Sequence, residues 1–105
     1  HVRVAFAYLK RHDLFGTIVR YRDGLKRLAA WAGFPEKYHE TVTCALVVLI
    51  NERMVASPHL RSWEAFAAAN PDLLRWKDGA FFDYYEASVL DSPAARSTFI
   101  LPPRT

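Results

Sequence analysis

The segment Tyr38-His39-Glu40-Thr41-Val42-Thr43 gathers the groups of this chain best equipped for chemistry: a phenol, an imidazole, a carboxylate and two hydroxyls. It stands just ahead of Ala45-Leu46-Val47-Val48-Leu49-Ile50, a run that is apolar on every side. On a helix such a run belongs at the centre of a fold, surrounded by other elements. His39 and Thr43 are four apart and share a helical face, which Leu46, Ile50 and Arg53 continue; Thr41, Ala45 and Glu52 form a neighbouring face. Polar groups on a buried helix must find partners or line a pocket. A neutral imidazole beside a hydroxyl can act as a base or anchor a ligand. The candidate catalytic residues are therefore Tyr38, His39, Thr43 and Glu52, with Glu52 either a second acid or the partner of an arginine such as Arg3. Arg3, Thr41 and Phe82 are the candidate ligand contacts. The same pattern also has a purely structural reading. His39 falls in the first helical turn, where polar side chains are common, and Thr41 and Thr43 can bond back to preceding carbonyls.

Several other chemistries lack their signatures. His39-Glu40 is followed by threonine at position 43, so the two-histidine helical zinc motif is missing. His1, His12, His39 and His59 have no local metal-ligand spacing, and no metal site is expected. The four glycines are isolated, which rules out a phosphate loop, a dinucleotide fingerprint and a nucleophile elbow. Arg20, Arg22, Lys26 and Arg27 cluster near Tyr21, but Tyr21 lies on an apolar stripe and Asp23 dilutes the charge. With a net charge of only +3 at pH 7, this reads as a solvated face rather than a nucleic-acid surface. A helix-turn-helix spacing is not identifiable. Trp76, Phe81, Phe82, Tyr84 and Tyr85 could stack a flat ligand or form an oligomer contact, with core packing the default. Phe81, Tyr84 and Tyr85 share one helical face; Phe82 points elsewhere and is the candidate for a groove or interface.

The elements that would position these groups are helical. The 105 residues suit a single domain, 1–105, able to bury a core without staples. Apolar spacing predicts a helix over 1–12, then one over 14–32 along Leu14, Ile18, Tyr21, Leu25, Leu28 and Ala32, capped by Asp13 and ended by Gly33. Pro35 is expected to open a third helix running to Ala56. Shorter helices are expected at Trp63–Ala69 behind Ser62, at Asp72–Trp76, at Phe81–Glu86, and at 93–98 behind Ser92-Pro93, with a turn at Lys77-Asp78-Gly79. Residues 100–103 are expected to be extended. Hairpin signals are absent. The fold class is all-α: a small bundle of three longer helices plus two or three short C-terminal ones. The one cysteine, Cys44, lies in the apolar run and reads as a buried inert thiol, which fits a cytoplasmic protein. No stretch is apolar enough to span a membrane.

The stretches His1-Val2-Arg3-Val4-Ala5, Tyr38 to Thr43, and Trp63-Glu64-Ala65-Phe66-Ala67-Ala68-Ala69-Asn70-Pro71-Asp72-Leu73-Leu74 resemble a group of small bacterial all-helical proteins with no assigned function. The resemblance extends to about Leu101. It implies a cytoplasmic protein of which this domain is nearly the whole, and it brings no activity, substrate or cofactor. Two functions remain in view. One is a small-molecule-binding protein or enzyme with an interhelical polar pocket around His39, closed by Arg3 and the C-terminal aromatics. The other is a homodimeric helical interaction module without catalysis.

Overall fold

The third helix of the chain, α3 (Glu40–Ala56), has buried residues on all sides: Thr41, Thr43, Ala45, Leu46, Val47, Leu49 and Ile50. Such a helix is stable in water only if others surround it. In the computed structural model, which describes residues 1–75 and 79–102, α1 (Val2–Leu9) and α2 (Leu14–Trp31) pack on it. After it come α4 (Trp63–Ala69), α5 (Pro71–Leu74), a 3-10 turn at Ala80–Asp83, α6 (Ala87–Leu90) and α7 (Pro93–Ser97); a further 3-10 turn, Pro35–Lys37, packs on α2. Of the C-terminal elements, α7 and the Ala80–Asp83 turn pack directly on α3. The architecture is all-α, and no helix of the described residues is long and apolar enough to cross a membrane.

The boundaries follow local chemistry. The Asp13 carboxylate accepts the Gly16 amide at 2.7 Å and starts α2, satisfying one of the unpaired amides of the first turn. Gly33, at φ +85°, ends it. There the Phe34 amide donates to Ala29 and the Gly33 amide to Ala30, the paired bonds of a glycine-terminated helix. Ser62 caps α4 through the Ala65 amide and Ser92 caps α7 through the Ala95 amide.

Three boundaries differ from the sequence expectation. Helix α1 stops at Leu9 and is closed by the amides of Arg11 and His12 on the Tyr8 carbonyl. Pro35 opens only a 3-10 turn, after which Tyr38 and His39 are extended and His39 itself caps α3. The segment expected as a helix over Phe81–Glu86 forms only the 3-10 turn Ala80–Asp83, with 84–86 outside any helix, so Phe81 and Tyr85 are buried while Tyr84 is turned outward. The short C-terminal helices therefore number four among the described residues. Of the helix expected at Asp72–Trp76, the described part forms within Pro71–Leu74; Trp76, Lys77, Asp78 and Pro103 lie outside the described residues.

Two sets of contacts lock the layers. Phe6 of α1 packs on Phe66 with centroids 4.8 Å apart and meets the edge of Trp63 at 5.7 Å. The Arg53 guanidinium donates to both oxygens of Asp72, at 3.0 and 2.7 Å, and to the Asn70 side-chain carbonyl at 2.9 Å. Asn70 in turn donates to the Phe66 carbonyl. This paired, planar contact joins the end of α3 to the junction of α4 and α5. Gly79 completes the wall beyond α5: a Cβ there would lie 1.8 Å from the Arg75 carbonyl oxygen, so no larger residue fits.

The core holds one orphan. The Thr17 hydroxyl is fully buried and, among the described residues, has no hydrogen-bond partner. Valine has the same shape without the hydroxyl. Thr17→Val should stabilise the fold by about 1 kcal/mol, raising the thermal midpoint by roughly 4–8 °C. A lowered midpoint in a thermal melt would show that the hydroxyl contributes to stability.

Candidate functional site

The first helix is less than half as long as the second. Eight residues rise about 12 Å and eighteen about 27 Å, so α1 covers only part of the α2 stripe. The Tyr21 hydroxyl, donating to the His1 carbonyl at 3.3 Å, marks how far the cover reaches. Burial pushes that phenol up to about 12. Beyond Tyr21 the stripe continues through Leu25, Leu28, Ala29 and Ala32 over an open cleft of about 580 Å³. The opposite walls come from Val42, Thr43 and Leu46 of α3 and from Leu73, Leu74, Arg75 and Phe81. Phe34, Lys37, Tyr38 and His39 close one end. Leu28, Phe34 and Leu74 remain 52, 49 and 50% exposed at its mouth. The cleft is thus largely apolar, rather than the polar pocket expected around His39.

His39 sits on its wall with both ring nitrogens engaged. Nδ1 accepts the Val42 amide at 3.1 Å, capping α3, so the ring proton resides on Nε2. Nε2 donates to the Leu90 carbonyl at 2.6 Å and ties α3 to the end of α6. No nitrogen is left for a substrate proton in this arrangement. Thr43 donates back to the His39 carbonyl at 2.7 Å. The Tyr38 hydroxyl is committed to Glu40, at 2.5 Å, and Arg22 Nε donates to both Glu40 oxygens at 2.9 Å. The Lys26 ammonium lies 5.3 Å over the Tyr38 ring. Burial, and then the bond to Glu40, raises the Tyr38 phenol and keeps it protonated. Burial pushes the Glu40 carboxyl up, but the bonds from Tyr38 and Arg22 and the charges of Arg22 and Lys26 outweigh it and hold the carboxyl below its ordinary value. Burial raises the half-buried Cys44 thiol, which makes it a poor nucleophile.

The remaining sequence candidates lie elsewhere. Thr41 does not bond back along its helix. Its hydroxyl donates to the Thr98 carbonyl at 2.8 Å and accepts the Ile100 amide at 3.1 Å, pinning the extended C-terminal segment, with Tyr85 donating to the Ile100 carbonyl. Glu52 lines a second, smaller cavity of about 180 Å³ with Tyr84, Tyr85, Phe99 and Leu101. Arg3 lies 6.0 Å over the Trp63 ring and, among the described residues, forms no ion pair with Glu52. Phe82 lines neither cavity. The basic residues of α2 are also mostly occupied: Arg20 on the Gly16 carbonyl, Arg22 on Glu40, Lys26 on Tyr38. Among the described residues no three metal-ligating side chains come together. The cleft residues of α2, together with Phe34, Leu73 and Leu74, were not legible as a site. Their apolar spacing is that of a core face, and only the length of α1 leaves them uncovered.

His39→Ala should cost about 1–2 kcal/mol, since it removes a cap and a tertiary bond, while His39→Asn should recover the cap alone and fall between. Equal midpoints for all three proteins in thermal melts would refute the double role. Glu40 and Asp72 make the fold acid-sensitive. The Asp72 carboxyl is held down chiefly by its bond from Arg53, against burial, and both groups lie below their ordinary values of 3.8 and 4.5. Depressed carboxyls contribute stability that is fully present above those ordinary values and is lost as pH falls through the folded ones. Urea midpoints should thus fall on acidification below about pH 4.5, and less steeply in a Glu40→Gln, Asp72→Asn double variant.

No protein-family model matches the chain, and neither a curated protein nor a solved structure matches it.

Proposed function

We propose that this protein binds a small, largely apolar molecule in the cleft between α2, the start of α3 and the Leu73–Arg75 wall. The observation that carries the reading is the cleft itself: about 580 Å³, apolar along its sides, with a few polar side chains at its margin. That size and lining are those of small-ligand sites, which run from about 300 to 1,000 Å³. Tyr38, His39 and Thr43 serve it as wall and support, because their polar atoms are spent on Glu40, Val42, Leu90 and the His39 carbonyl. Binding without acid–base catalysis is the better reading for that reason. A bacterial, cytoplasmic setting belongs to the same proposal; the single raised thiol is at home in a reducing compartment.

A second reading has its own support. Phe15 and Val19 lie one turn apart on the outer side of α2 and are 77 and 55% exposed. A homodimer through that face would cover them, and sedimentation of Phe15→Glu against the unchanged chain separates the two states.

The cleft is tested with Nile red, a neutral dye that brightens in apolar surroundings. The unchanged protein should bind it saturably. Ala29→Trp, which fills the cleft from the α2 side, should abolish binding with the thermal midpoint retained. Loss of the signal in Phe15→Glu but not in Ala29→Trp would move the apolar site to the outer face of α2 and overturn the proposal.

A further inference from the structure

The margin of the cleft carries charge of one sign. Lys37 and Arg75 both line it and are both exposed, and among the described lining residues there is no aspartate or glutamate. The chain as a whole has 14 basic and 11 acidic residues, so this is a local arrangement and not its average. The nearby carboxylates are already neutralised: Glu40 by Arg22, Asp72 by Arg53. Arg75 adds to the charge that holds the Asp72 carboxyl down, but Asp72 makes its ion pair with Arg53. Among the described residues neither Lys37 nor Arg75 belongs to an ion pair. The Lys37 ammonium rests 4.5 Å over the Phe34 ring, a contact that places the charge at the mouth without cancelling it.

An apolar trough lined by two cations that form no ion pair among the described residues suits a molecule with an apolar body and one anionic end. We infer that the ligand of this cleft is a hydrophobic carboxylate. The inference rests on the cleft reading above and adds the chemical class. The body lies along Leu25, Leu28, Val42, Leu46 and Phe81. The carboxylate stays at the margin, where it keeps part of its hydration and avoids the cost of full burial. Arg75 can take it through two parallel hydrogen bonds, and Lys37 meets it as a point charge. The His39 ring is no part of the grip, since its Nε2–H is held by Leu90.

Calorimetric titration of a matched pair, octanoate and octan-1-ol, separates the charge from the apolar body. In low salt the unchanged protein should bind octanoate at least about tenfold more tightly than the alcohol, and salt should narrow the gap. Replacing both cations (Lys37→Met with Arg75→Met) should bring octanoate down to the affinity the same variant has for the alcohol. Ala29→Trp should exclude both. Equal affinity for the two compounds in the unchanged protein, or a preference that survives the double replacement, would overturn the anionic end while leaving the cleft as a binding site. Failure of both compounds to bind, or binding that Ala29→Trp does not affect, would overturn the cleft itself.

Discussion

The structure depends on one constraint: a long helix with no polar side to offer water. Val47 and Ile50 of α3 have no exposed surface at all, and Leu46 and Leu49 little more. Burying such side chains is worth about 1.5–3 kcal/mol each, but only if neighbours approach from every direction. Helices α1 and α2 meet part of that demand, and two short C-terminal elements, α7 and the Ala80–Asp83 turn, meet more of it. Those elements are too short to persist alone. They are ordered by the surface they cover, and α3 is in turn stable because they cover it.

Polar contacts decide where along α3 each cover sits. Near its start, His39 reaches Leu90, and the Thr41 hydroxyl grips Thr98 and Ile100. Near its end, Arg53 grips Asp72 and Asn70. Apolar burial is non-directional and would tolerate sliding of these small helices along α3. A hydrogen bond with fixed length and angle does not. The groups that looked most reactive are therefore the pegs of the assembly, and most of their hydrogen-bonding capacity is taken up by the chain itself.

The cleft arises where the cover runs out. Helix α2 carries its apolar stripe to Ala32, yet α1 leaves it at Tyr21. The remaining trough lies between well-supported walls: the capped start of α3 and the segment that Gly79 lets pass against Arg75 and that Arg53 anchors through Asp72. One of those walls is held by the same bonds that withdraw His39, Tyr38 and Thr43 from chemistry. Recognition by shape and charge is what such a site can supply.

The sequence by itself determined the helical class, the central place of α3 and most of the helix ends. Asp13, Gly33, Ser62 and Ser92 act through bonds to residues a few positions away, and periodic apolar spacing is a local property. Of the two readings it left open for Thr43, bonding back to a preceding carbonyl is the one found, with His39 as the acceptor. Only the tertiary structure decided that Thr41 would reach Thr98, that Pro35 would open a 3-10 turn with His39 as the true cap, and that Glu52 and Arg3 would part from the His39 segment. Nor could spacing distinguish the covered half of the α2 stripe from the open half. Ile18 and Leu28 have the same local signature, yet Ile18 packs against the core while Leu28 is half exposed, a matter of length and packing between distant parts of the chain.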